Sequence, residues 1–320
     1  MKTLAILILT GAGTLVLILA AAIALGGPGP IAPLASINEP FSKVDFSDVP
    51  AARSFIARDG TRLAWLDYPA AGSAPGKRRI VLVHGSSARA RSMHVLARSL
   101  AQAGFNVTAL DIRGHGGSGP RGQVQYVDQL EDDVEDFMRA VPHDGPSTLA
   151  GFSSGGGFVL RFAGGKRQDL FDRYLLLAPY LHRTAPVNRV IEDNWVSFGF
   201  TRYIALSLLN RIGITSWNHL PVLRFGLDEA IKDQLTSSYS YTLTRAFGPH
   251  DNYKGDIRAS HQPMRVLAGS KDELFDASRY ASTFADAGRQ VPVTVVPGVN
   301  HMGLTLDKLA MPAIIDAAGP

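Results

Sequence analysis

Gly151-Phe152-Ser153-Ser154-Gly155 constrains this chain more than any other stretch. It stands between an apolar run and a glycine-rich helix start, so it reads as a strand, a sharp turn and a helix with one serine at the apex. Such a turn forces Ser153 into a strained backbone conformation, and the residues two before and two after must be small. The pattern G-x-S-x-G in this setting offers a serine hydroxyl as a nucleophile. Three fixed positions in five also arise by chance, so the weight of the pattern rests on what the rest of the chain supplies.

At 320 residues the chain is long enough for one large α/β domain, or a domain with an insertion. The net charge is +4 and no Lys/Arg run marks a nucleic-acid surface. Cysteine is absent, which removes disulfides, thiolate nucleophiles, zinc–thiolate sites and iron–sulfur ligation together. No cluster has metal-ligand spacing, so neither a metal nor a cofactor is expected. The composition says nothing of oligomeric state.

Residues 1–27 begin with Met1-Lys2 and continue as an uncharged stretch rich in Leu, Ile and Ala. Roughly 20 apolar residues suffice to cross a bilayer as a helix, so a membrane anchor is expected here. Lys2 would stay cytoplasmic by the positive-inside rule, leaving the rest of the chain outside. Ala22-Ile23-Ala24 offers an alternative, cleavage near Ala24 and release of a secreted or periplasmic form. Residues 28–50, with Pro28, Pro30, Pro33 and Pro40, read as a linker.

From 51 to 320 a regular rhythm sets in. Residues 53–58 and 61–67 predict a hairpin around Asp59-Gly60. The apolar run at 79–83 predicts a strand buried on both faces, and mostly apolar runs at 105–110, 147–152, 174–178, 265–268 and 293–296 predict further strands, separated by helical segments. That alternation predicts a doubly wound, mostly parallel sheet. The rhythm breaks over about 180–262, far longer than an ordinary crossover. This aromatic-rich interval, with Trp195, Phe198, Phe200, Tyr203 and Trp217, reads as a helical lid inserted over the strand ends.

A serine hydroxyl is a poor nucleophile until a neighbouring base takes its proton. Among nine histidines, His301 sits just past the last predicted strand, where a parallel sheet gathers its site. A carboxylate must fix the imidazole tautomer. Asp272 follows a predicted strand and is the first choice, with Glu273 and Asp276 as rivals. Two preorganised amides must hold the oxyanion: those of Ser154, next after the nucleophile, and Ser86, in the loop after the 79–83 strand.

These residues, with His84-Gly85 and Asp111-Ile112-Arg113-Gly114-His115-Gly116-Gly117-Ser118, carry a resemblance. Residues from about 53 to 310 resemble the α/β-hydrolase superfamily, in its monoacylglycerol lipase/lysophospholipase-like branch (the serine aminopeptidase S33-type group). The chain order Ser153, Asp272, His301 agrees with that superfamily. The resemblance implies structural roles for His84 and His115, a loop tied by Asp111 and Arg113, and a serine hydrolase that cleaves carboxylic esters through an acyl-enzyme. Lipid-like substrates, monoacylglycerols or lysophospholipids, are expected from the apolar lid. One departure stands at the elbow, where this branch usually has G-H-S-M-G and this chain has Phe152 and Ser154. Two alternatives remain. A peptidase or amidase of the same fold would need an acid for the substrate amine, with Glu192, Asp193, Asp228 and Glu229 as candidates. A non-catalytic binding protein would be expected to lack a triad member, and all three positions are filled.

Overall fold

The apolar runs pair into one eight-stranded sheet in the computed structural model, which describes residues 2–71, 77–190 and 195–319. β1 (Arg53–Ile56) and β2 (Arg62–Tyr68) form an antiparallel hairpin, with Gly60 at φ +81° in its turn. β3 (Arg79–Val83), β4 (Asn106–Leu110), β5 (Ser147–Phe152) and β6 (Arg173–Leu177) follow, each separated by a helical segment. β7 (Val196–Phe198), β8 (Pro221–Phe225) and β9 (Ser238–Ser240) make a separate antiparallel sheet. β10 (Met264–Gly269) and β11 (Val293–Val296) return to the main sheet. Its order is β1-β2-β4-β3-β5-β6-β10-β11, parallel from β4 onward.

This is the α/β-hydrolase fold. Strands β3 and β5 are buried along their whole length, which is why residues 80–83 and 149–152 run apolar without alternation. The chain leaves β3 for β4 on one side and reaches β5 on the other. The carboxyl ends of β3 and β5 therefore form a topological switch point, where two successive loops diverge and leave a crevice. His84–Arg89 and the serine turn both start there.

Helix Lys2–Leu25 opens the chain. The expected single membrane pass is overturned: among the described residues no helix is long and apolar enough to cross a membrane. The location outside the cytoplasm as a tethered domain rested on that reading and falls with it. The end of this helix packs on protein instead. Arg202 donates from its side chain to the carbonyls of Ile23 and Ala24, and Ile23 packs beside buried Leu206, Val222 and Tyr241.

Residues 34–49, read from sequence within the linker, lie against the body. Ile37 and Asn38 are buried, Asn38 donates to the Gly226 carbonyl, and Asp48 meets His94 and Arg98. Between β6 and β10, the three-stranded sheet and helix Phe200–Arg211 surround that small cluster of Leu206, Val222 and Tyr241. Phe225, Tyr239 and Leu243 of the same interval join the main core.

Candidate active site

The turn after β5 has the geometry its residues require. Ser153 adopts φ 55° and ψ −118°, a conformation rare outside glycine. Its amide donates to the Leu177 carbonyl at 2.9 Å, and its carbonyl accepts from Gly157 and Tyr180. A side chain at Gly151 would collide with the Gly155 carbonyl, and one at Gly155 would collide with the His84 carbonyl. Strand and helix can therefore approach only with glycine on both sides, and helix Ser154–Ala163 starts at once.

Ser153, His301 and Asp272 are brought together by three different loops. His301 Nε2 lies 3.2 Å from Ser153 Oγ, and His301 Nδ1 lies 2.8 Å from Asp272 Oδ2. Asp272 Oδ1 accepts from the amides of Leu274 and Phe275, both at 2.9 Å. With its carboxylate held at both oxygens, Asp272 favours the tautomer in which Nδ1 carries the proton. Nε2 is then free to accept the Ser153 hydroxyl proton. Asp272 and His301 are each 2% exposed and Ser153 9%.

The two rival acids do other work. Glu273 Oε2 accepts the His301 backbone amide at 3.0 Å, tying the acid loop to the histidine loop. Asp276 caps the turn that follows it, accepting from the Ser278 amide and hydroxyl. Sequence reasoning also missed the rings around His301. Phe152 packs on one side with centroids 4.7 Å apart, and Phe275 meets the imidazole edge-on at 5.3 Å. Phe152 was visible as a departure from the usual elbow, but its contact with His301 was not.

The family model of serine aminopeptidase S33 matches residues 74–307, well over half of the chain. The chain belongs to the serine aminopeptidase S33 family. A monoacylglycerol lipase of Mycolicibacterium smegmatis is 40% identical over 118 residues, which cover 35% of this chain and 41% of that protein. The match thus spans less than half the length of that relative. Among solved structures, a soluble variant of monoglyceride lipase from Saccharomyces cerevisiae superposes with TM-score 0.63 at 19% identity, covering 86% of this chain and 96% of that one. Monoacylglycerol lipase from Paleococcus ferrophilus gives TM-score 0.57 at 21% identity, covering 80% and 98%. At such identities these structures share the fold.

In this S33 family member, two histidines of the sequence motifs hold the loops in place. His84 Nδ1 donates to the Gly85 carbonyl at 2.8 Å, and its Nε2 accepts the Ile112 amide at 3.3 Å. His115 Nδ1 faces the carbonyls of Ile112 and Arg113, so its Nε2 is left to accept from the Tyr239 hydroxyl at 2.7 Å. Burial pushes both imidazoles below the usual histidine range, and His84 beside His115 pushes the latter further. Arg113 donates to Asp59 and Asp133, while Asp111 accepts the Ala90 and Gly117 amides.

Ser86 and Ser154 meet across the switch point, their hydroxyls hydrogen-bonded to each other. Ser154 opens its helix, where the first amides lack intrahelical partners. The Ser86 amide has no protein partner among the described residues. Ser87, at φ 64°, anchors the loop: its hydroxyl donates to the Thr236 carbonyl and its amide to the Tyr239 hydroxyl.

A cavity of about 450 Å³ opens beside Ser153 and His301. Its wall comes from the loop after β3, from 37–46 of the N-terminal segment, and from 227–235 of the insertion. Of the candidate acids for a substrate amine, Asp228 lines this cavity and Glu229 pairs with Lys232; Glu192 and Asp193 lie outside the described residues.

Proposed function

We propose that this chain hydrolyses carboxylic esters of lipid-like substrates, monoacylglycerols or lysophospholipids, through an acyl-enzyme on Ser153. The observation that carries the reading is the hydrogen-bonded series Ser153–His301–Asp272 at the edge of a cavity walled by Ile37, Phe41, Met93, Leu227 and Met302. Pockets of this size lined by apolar side chains suit an acyl chain. The similarity to the mycobacterial monoacylglycerol lipase supports the same substrate class.

Ser153 Oγ attacks the ester carbonyl while His301 Nε2 takes its proton, and Asp272 stabilises the resulting imidazolium. The amides of Ser86 and Ser154 hold the oxyanion. The imidazolium then protonates the departing alcohol, and water activated by His301 releases the acid. Residues 180–262 serve as the lid, with 227–235 against the cavity.

The test is turnover of p-nitrophenyl esters of rising acyl length by the full chain. Activity that rises from acetate to medium and long chains supports a lipid substrate, and a preference for acetate contradicts it. Asp228 favours a second reading, an aminopeptidase holding a substrate amine. Cleavage of aminoacyl-naphthylamides without ester cleavage would put that reading first.

A further inference from the structure

We propose that Arg89 and Arg91 form an anion-binding subsite in the cavity beside Ser153, which takes the phosphate of a lysophospholipid head group. The inference rests on the ester-hydrolase reading above and decides between its two substrate classes.

Both arginines leave the loop after β3, are half-buried and line the same cavity as Ser153. Arg89 Nη2 donates to the neutral Oε1 of Gln234 at 2.8 Å. The Arg91 guanidinium stacks on the Phe46 ring, 4.6 Å from its centroid. Neither forms an ion pair among the described residues, whereas Arg58, Arg113, Arg161 and Arg167 all meet carboxylates. Asp111 is close enough to be felt by Arg89, yet its two oxygens are committed to the amides of Ala90 and Gly117. The cavity's own carboxylates, Glu39 and Asp228, come from other segments and reach neither arginine within ion-pair distance.

A half-buried guanidinium without a counter-ion is costly, and two side by side more so. Burial pulls Arg89 below the usual arginine range, and Arg91 adds to it. An anion would relieve both. Phosphate suits the arrangement because a guanidinium offers parallel N–H donors in a planar fork that matches two phosphate oxygens. Stacking on Phe46 covers one face of Arg91 and leaves its N–H edge open. A monoacylglycerol has no charge to place there.

The experiment compares kcat/KM of the full chain on 1-palmitoyl-lysophosphatidylglycerol and 1-monopalmitoylglycerol in the same neutral detergent micelles. Charged hydrogen bonds of this kind predict a preference for the phosphate ester of about ten-fold or more. In R89Q/R91Q the ratio should fall toward one, and R89K/R91K should restore part of it. Melting curves and labelling by a fluorophosphonate check that each variant is folded. Inorganic phosphate, added as an inhibitor of monopalmitoylglycerol cleavage, separates the sources. Inhibition in a wild type with no phospholipid preference would assign the subsite to free phosphate and overturn the head-group assignment. Equal turnover of both lipids without such inhibition, or a preference that survives in R89Q/R91Q, overturns the arginine subsite and leaves ester hydrolysis standing. No cleavage of either lipid, with no labelling of Ser153, overturns both.

Discussion

The Tyr239 hydroxyl stands between His115 and the loop that carries Ser86. It lies 2.7 Å from His115 Nε2 and accepts the Ser87 amide at 2.6 Å. A residue of the insertion thus joins the glycine-rich motif after β4 to the loop expected to hold the oxyanion.

Replacing Tyr239 by Phe leaves the ring in place and removes both bonds. The Ser87 amide and His115 Nε2 are then buried without partners, at a cost of about 1–3 kcal/mol each. The expected outcome is a lower melting temperature and a lower kcat on a short aryl ester, with KM little changed. Steady-state kinetics and calorimetry on Tyr239→Phe check it; unchanged kcat would show that this loop does not need the tie.

The three neighbouring carboxylates should separate in kinetics. Asp272→Asn exchanges the acceptor at His301 Nδ1 for a group that favours the wrong tautomer, and kcat should fall on the order of 10⁴-fold. Asp276→Asn, whose carboxylate meets the Ser278 turn and the side chains of Arg279 and Arg189 but not His301, should stay near wild type. Glu273→Ala removes the acceptor of the His301 amide and should lower kcat by roughly ten-fold, about the worth of one hydrogen bond to a charged group. Glu273→Gln keeps an acceptor oxygen and should recover most of that loss.

His84 and His115 make stability depend on pH. Both are held neutral by burial, so their folded-state pKa lies below the unfolded value near 6.5. As pH falls below that value the unfolded chain gains protons that the folded chain does not, so stability declines toward acid. Each such histidine contributes a slope of about 1.4 kcal/mol per pH unit in that window. Urea melts between pH 7.5 and 5.5 should show this decline, and it should be shallower in His115→Gln. A slope unaffected by the substitution would contradict the assignment.

Much of the main sheet was legible because burial on both faces favours apolar residues: the runs at 80–83 and 149–152 are apolar and lie in β3 and β5. The elbow was legible because sterics admit only glycine at 151 and 155. Chain order supplied His301 and Asp272. Residues 34–49 were not legible, since the contact that seats Asn38 is a carbonyl at Gly226, 188 residues away. Strands β7 and β9 have three residues each, too short for a periodic signal. The N-terminal stretch misled because apolar composition by itself does not decide whether a helix crosses a membrane: among the described residues no helix is long and apolar enough, and the end of this one sets Ile23 against the insertion. Nor does any pattern place Tyr239 against His115.

The central claim is that Ser153 is the nucleophile, activated by His301. The most direct measurement is intact-mass analysis of the full chain after reaction with a fluorophosphonate, comparing wild type with Ser153→Ala and His301→Ala. The account predicts one stoichiometric adduct in wild type that maps to Ser153, no adduct in Ser153→Ala, and labelling slowed by orders of magnitude in His301→Ala. An adduct that persists in Ser153→Ala, or a wild-type chain that stays unlabelled, would contradict it.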